Sequence, residues 1–257
     1  MDLQLKDRIV FIAGSSRGIG YAIARACLEE GARVALTARG EADLAAAHGS
    51  FADEFGKEAV WSRAGDACDT AFLESAVDSI ESKFGPIHGA VANVGLYPAP
   101  PGYELDDATW AAGNAQNLDS SFRFARAVLR RMHPRKEGAL LFISSIAGSG
   151  AIGTSLIYGP AKAAINHLAR ELGRSLGPDG IRVNALSPGN ILFPGGAWEK
   201  ILQGENGMER RRKIERNVPM RRFGRPDEIA SVATFLLSPR ASFMTGSIVT
   251  ADGGQMA

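Results

Sequence analysis

Cysteine is scarce in this chain: Cys27 and Cys68 are the only two in 257 residues, and they fit neither a metal-ligand spacing nor a disulfide framework. That argues against a zinc module or a stapled secreted scaffold. It suits a reducing compartment in which both thiols serve as small apolar residues. An excess of one charge is missing too, since 29 basic and 28 acidic side chains leave a formal net charge of +1. No global field would draw such a protein to nucleic acid or to an anionic membrane, so a small-molecule partner is expected. No apolar run approaches the roughly 18 residues needed to cross a bilayer. The opening MDLQLKDRIVFIAG lacks the basic, apolar and cleavage regions of a secretory leader, and a cytoplasmic protein is expected. Repeats, low-complexity tracts and long linkers are absent as well, which predicts one domain over 1–257.

What is present is a rhythm. Short apolar runs, the expected strands, stand at 8–13, 33–37, 59–61, 89–93, 139–144, 182–187 and 247–251. Amphipathic helical stretches separate them at 19–30, 70–84, 108–132, 159–176 and 226–237. Strands that are continuously apolar rather than alternating are expected where helices cover both faces of a parallel sheet. The fold class predicted is therefore α/β, a doubly wound, Rossmann-type, seven-stranded parallel sheet. Two irregular segments are expected, at 96–102 and about 190–217, both after strand ends, where such sheets bind ligands.

Directly after the first strand comes AGSSRGIG (13–20), with Gly14, Gly18 and Gly20 in the turn and helix opening. Glycine there permits positive φ and close backbone approach, and the free N–H groups of the helix start attract a diphosphate. Further on, SS at 144–145 precedes YGPAK at 158–162. If Tyr158 opens a helix, Lys162 lies one turn on and on the same face, close enough for its ammonium to lower the phenol's pKa from about 10 toward a useful range.

The glycine spacing G-x-x-x-G-x-G, together with GDACD (65–69), ANVG (92–95), QNLDSSF (116–122), SS, YGPAK, SPGNI (187–191) and the closing RRFGRPDEIASVATFLLSP and TGSIVTADGG, resembles the classical short-chain dehydrogenase/reductase family. The resemblance covers essentially the whole chain, and among the family's members it is similar to 3-oxoacyl-carrier-protein reductases. It implies a catalytic set of Asn117, Ser145, Tyr158 and Lys162: Tyr158 as general acid and base, Ser145 polarising the carbonyl, Lys162 tuning the phenol and holding the nicotinamide ribose, Asn117 holding a water in a proton relay. It also implies a cofactor site of Gly14, Ser16, Arg17, Gly18, Ile19, Gly20, Arg39, Asp66, Ala67, Asn93, Gly95, Pro188, Gly189 and Ile191, with Tyr158 and Lys162. Asp66 would take the adenine amine, unless it is simply a loop acid. Asn93 would line the ribose, unless it is a turn former.

The second strand ends in TARG, with Ala38 where NAD-preferring members carry an acid, and Arg39 and Arg17 could converge on a 2′-phosphate. NADP(H) is therefore expected over NAD(H). On the substrate side, Leu96, Tyr97, Ser145, Phe193 and Trp198 would give a largely apolar pocket for a small hydrophobic ketone or secondary alcohol. Phe193 stands where many members have threonine, and it and Trp198 could instead anchor the lid. Ala13, Ala92 and Ala251 are further departures from the family pattern. The charged stretch 204–216 suits a mobile lid over the cofactor. The basic stretch 123–136 is either a solvated face or a dock for an acidic acyl carrier. The resemblance also implies a homotetramer. Three functions remain in play: a carbonyl reductase of small ketones, a 3-oxoacyl-carrier-protein reductase, and a catalytically silent dinucleotide sensor.

Overall fold

A computed structural model describes residues 1–95 and 102–257. Its seven strands are β1 (Ile9–Ala13), β2 (Arg33–Ala38), β3 (Val60–Ala64), β4 (Gly89–Ala92), β5 (Gly138–Ile143), β6 (Ile181–Pro188) and β7 (Ile248–Ala251). They form one parallel sheet in the order β3-β2-β1-β4-β5-β6-β7. The expected doubly wound architecture is what the chain adopts. The direction of winding reverses between β1 and β4, which opens a crevice beyond their carboxyl ends.

The main helices that cover the sheet are α1 (Gly18–Glu29), α2 (Glu41–Phe55), α3 (Thr70–Phe84), α4 (Asp107–Asn114), α5 (Ser120–Arg135), α6 (Gly159–Leu176), α7 (Ala197–Gln203), α8 (Gly207–Asn217) and α9 (Pro226–Leu237). Alternate residues of β1 show why both faces must be covered. Val10 and Ile12 enter a core with Ile23 of α1, Phe51 of α2 and Ile229 of α9. Ile9, Phe11 and Ala13 enter a second core with Leu73 of α3, Phe124 of α5 and Ile165 of α6. Local signals fix the ends: Asp69 caps α3 by accepting from Ala71 N and Phe72 N, and Gly85 at φ +93° ends it.

Three expectations differ from the structure. Residues 41–55 form α2, although EADLAAAHGSFADEF has so many alanines that its apolar stripe of Leu44, Ala47 and Phe51 is faint. The run at 108–132 is not one α-helix: five residues, Ala115–Asp119, take a π turn between α4 and α5. The 190–217 segment is not irregular, since α7 and α8 occupy most of it. Its charged residues lie along the exposed side of α8, where a charged sequence reads as loop and as helical surface equally well.

Both cysteines are structural. Cys27 is fully buried and its thiol is pushed up to about 12 by burial. Cys68, half-buried with Sγ 3.4 Å from Ala115 O, is raised for the same reason.

Candidate active site

The glycine turn between β1 and α1 is built so that no side chain fits. Gly14 has φ +68°, and a Cβ there would lie 2.0 Å from Asn93 O. A Cβ on Gly20 would lie 2.3 Å from Gly14 O. Asn93, from the end of β4, donates from Nδ2 to Gly14 O at 2.7 Å and so braces the turn from below. Arg17 at the start of α1 provides no side-chain cap, and the first-turn N–H groups have no side-chain acceptor among the described residues. An anionic diphosphate fits such a cradle: the backbone is bare, the amides are unclaimed, and Ile19 lines a cavity of about 760 Å³.

The end expected to take the adenosine is less closed. Arg17 and Arg39 are both exposed, and Arg39 Nη1 donates to Gln116 Oε1 at 3.0 Å. Ser16 is half-buried and shares a smaller cleft with Arg17, Asp43 and Gly195. The Asp66 carboxylate closes a turn by accepting from Cys68 N at 2.9 Å. Ala67 packs against the core on the α3 side of the sheet. Gly95, at φ +103°, passes so close to the π turn that its Cβ position is 3.0 Å from Asn117 Cα.

The residues expected to handle protons converge on the same cavity. Ser145 follows β5, Tyr158 precedes α6, Lys162 is one turn along it, and all three line the 760 Å³ space with Pro188, Gly189 and Ile191 from the end of β6. Ser144 does not share the role: its Oγ donates to Lys162 O at 3.2 Å and ties β5 to α6. Asn117 is fully buried, and its Nδ2 donates to Ile157 O at 2.9 Å, fixing the residue just before Tyr158. π turns are frequently found at functional sites, and this one presents Asn117 to the loop that carries the phenol.

The electrostatics depart from the expected acidified phenol. Burial raises the Tyr158 pKa, with the neighbouring Ser145 hydroxyl opposing the shift. Two of the N–H groups of the Lys162 ammonium point away from the phenol, to main-chain carbonyls. The ammonium donates to Ile143 O at 3.0 Å and Val94 O at 3.4 Å, and lies 5.7 Å from the centre of the Tyr158 ring. Burial holds the lysine itself down to about 8.

The lid closes the remaining side. The Phe193 ring lies over the glycine turn, so close that a Cβ on Gly18 would be 2.5 Å from it, and it lines the same cavity as Ser145 and Tyr158. Trp198 meets Phe223 edge to face at 5.6 Å and also lines the cavity, so it anchors α7 and faces the site at once. Leu96 and Tyr97 lie outside the described residues.

Comparison with known proteins agrees with this geometry. A family model described as enoyl-(acyl carrier protein) reductase matches residues 13–256. The chain is 33% identical to 2-(S)-hydroxypropyl-CoM dehydrogenase 3 of Xanthobacter autotrophicus, with 100% of both chains covered. It is 34% identical to acetoacetyl-CoA reductase of Synechocystis sp., covering 98% of each. Among solved structures, L-sorbose reductase from Gluconobacter frateurii, complexed with NADPH and L-sorbose, superposes with a TM-score of 0.92 at 31% identity, over 100% of this chain and 99% of that one. The protein belongs to the short-chain dehydrogenase/reductase family.

As a short-chain dehydrogenase/reductase it is an oxidoreductase acting between alcohols and ketones, and NAD(P)(H) is the family's cofactor. Sequence reasoning missed several residues that line the same cavity: Ile152, Thr154, Asn190, Ile214, Asn217 and Gln255. Only Asn190 lies within a motif, SPGNI; the others come from loops and helices whose approach depends on how α8 and the 252–257 tail fold back.

Proposed function

We propose that this protein is an NADP(H)-dependent oxidoreductase that interconverts a small ketone and its secondary alcohol. The observation that carries the reading is the convergence of Ser145, Tyr158 and Lys162 on one cavity that also takes in the opening of α1 at Ile19 and the Pro188–Gly189 turn. When bound there, the nicotinamide supplies or accepts hydride at the carbonyl carbon. Gly14, Gly18 and Gly20 let the diphosphate approach the backbone, and Pro188, Gly189 and Ile191 bound the nicotinamide end. Tyr158 Oη gives a proton to the carbonyl oxygen during reduction. A phenol is protonated at neutrality, as a proton donor must be, although burial raises its pKa and so weakens it as an acid. Ser145 Oγ donates to the same oxygen as negative charge grows there. Lys162 holds a positive charge below the phenol, and Asn117 fixes the Ile157 carbonyl beside it.

Preference for NADP(H) rests on Ala38 at the end of β2 and on the exposed guanidinium groups of Arg17 and Arg39, which can meet a 2′-phosphate. Asp66 and Ala67 border the adenine, with Asn93 and Gly95 beneath the ribose. The assembly proposed is a homotetramer in the cytoplasm. An apolar groove between α5 and α6, lined by Phe122, Leu129, Leu172 and Leu176, supports the association. Docking of an acidic carrier on the 123–136 stretch has less support: Arg130 pairs with Glu74, Arg131 with Asp78 and Arg135 with Glu81, so its charge is already matched.

A panel of ketones and alcohols followed by NADPH absorbance tests the activity. Tyr158→Phe is expected to lower turnover by about 10²–10⁴-fold while leaving NADPH affinity unchanged, as measured by fluorescence titration. Substantial turnover by that variant would remove the phenol from the chemistry. Arg39→Asp is expected to lower kcat/KM for NADPH about tenfold or more and to spare NADH, the loss of one charge-assisted phosphate contact. Equal efficiency of the wild type with both cofactors would overturn the preference.

A further inference from the structure

The substrate end of the cavity carries a feature that hydride transfer does not use. Asn190, just beyond β6, and Gln255, in the tail after β7, meet side chain to side chain: Asn190 Nδ2 donates to Gln255 Oε1 at 2.9 Å, and both residues line the cavity that holds Ser145 and Tyr158. Once that bond is made, Gln255 Nε2 and Asn190 Oδ1 have no partner among the described residues. A donor and an acceptor are thus left on the two joined amides. Exchanging the two ends of both amides leaves the same complement, one NH2 group and one carbonyl oxygen.

A hydroxyl is the group that satisfies both, since it accepts from the N–H and gives its own proton to the oxygen. A ketone or ester carbonyl, or a carboxylate, can only accept, and would face the amide oxygen unpaired. The wall offers an anion little charge. Among the described residues that line the cavity, Lys162 alone is charged, and two of its three N–H groups go to Ile143 O and Val94 O. The remaining lining at this end, with Ile152, Trp198 and Ile214 beside Thr154 and Asn217, is neutral and mixed.

Both halves of the pair sit on anchored backbone. Gly224 N donates to Asn190 O at 2.9 Å. The Asp252 carboxylate accepts from Gly254 N at 2.9 Å and Met256 N at 2.8 Å, fixing the tail on either side of Gln255. The Met256 methyl lies over Gly150, where a Cβ would be 2.5 Å from it, so the tail also meets the loop after β5.

We propose that the Asn190–Gln255 amide pair is the specificity determinant of the site, recognising a hydroxyl on the substrate away from its carbonyl, and that the substrate is a neutral hydroxyketone or the corresponding polyol. The inference rests on the carbonyl-reductase reading above and narrows its substrate from a plain hydrophobic ketone.

The test compares three four-carbon probes with NADPH: erythrulose, which is hydroxylated; 2-butanone, which is not; and acetoacetate, which is anionic. Wild-type kcat/KM is expected to be at least about tenfold higher for erythrulose than for 2-butanone, the worth of a paired hydroxyl, and lowest for acetoacetate. Gln255→Leu is expected to raise the KM for erythrulose about tenfold with kcat little changed, and to leave 2-butanone as it was. Gln255→Glu retains the acceptor facing Asn190 but loses the donor, and is expected to match the leucine variant on erythrulose.

Wild-type turnover of 2-butanone as efficient as that of erythrulose, or an equal loss on both ketones in the variants, overturns the inference while the reductase reading stands. A Tyr158→Phe control separates the two: turnover that this control abolishes but that ignores hydroxyls leaves the reading intact. Turnover of no probe, and of no other ketone or alcohol, overturns the reading and this inference with it.

Discussion

At the scale of single residues, the site is a compromise between burial and charge. Lys162 keeps its ammonium in the interior by donating to two main-chain carbonyls, and burial still pulls its pKa from 10.5 to about 8. In the unfolded chain the lysine holds its proton up to its ordinary value, whereas in the folded protein it loses it near 8. Unfolding between those values therefore takes up a proton, and stability contributed at this position rises with pH across that window. The prediction is that the unfolding free energy of wild type, relative to Lys162→Met, increases by about 3 kcal/mol between pH 8 and 10.5 in the cofactor-free protein. Urea denaturation of both proteins at several pH values measures it, and a difference independent of pH would show that the ammonium is not paying for its burial.

At the scale of elements, capping and close approach decide which segments hold. The start of α9 is secured by Glu228, whose carboxylate accepts from Arg225 N at 2.8 Å and from both terminal nitrogens of Arg222 at 2.8 and 2.6 Å. Those bonds lower its pKa from 4.5 to about 2, the Arg222 side chain being the larger cause. The carboxylate is partly exposed, so solvent screening limits its worth. Glu228→Gln is expected to cost about 1 kcal/mol at neutral pH. The sign follows from a depressed carboxyl: the contribution is complete above 4.5 and disappears as pH falls toward about 2, so thermal melts of the two proteins should converge there.

This scale is also where the sequence stopped being legible. Strands were readable because burial on both faces demands continuous apolar runs, and α3, α6 and α9 because their stripes are clear. α2 is hidden by its alanines. The π turn at Ala115–Asp119 has no periodic signature, being a single extra residue in the helical ladder. The spacing of Ser145, Tyr158 and Lys162 could be read from the chain, yet the direction of the phenol's pKa could not. It is set by burial of the ring, a property of the folded chain that no local spacing reveals.

At the scale of the whole molecule, two cores on opposite faces of one sheet leave the ligand space at the sheet's edge, and the helix pair α5 and α6 on the outside. Phe122 is 44% exposed at the rim of the groove between them, although it is large and apolar. If the proposed tetramer forms through that groove, Phe122→Glu is expected to convert it to smaller species, which light scattering after size exclusion would detect. A wild-type protein that elutes as a monomer at micromolar concentration would remove the proposal.

The two silent thiols have a practical use. With Cys27 sealed in the core and Cys68 raised by burial, alkylating reagents at neutral pH should label the native chain slowly. A cysteine introduced at the exposed Met208, at the start of α8, would then carry a fluorescent dye almost alone. Its emission during stopped-flow mixing with nucleotide would follow this helix in real time, with no need to strip the native sulfhydryls first.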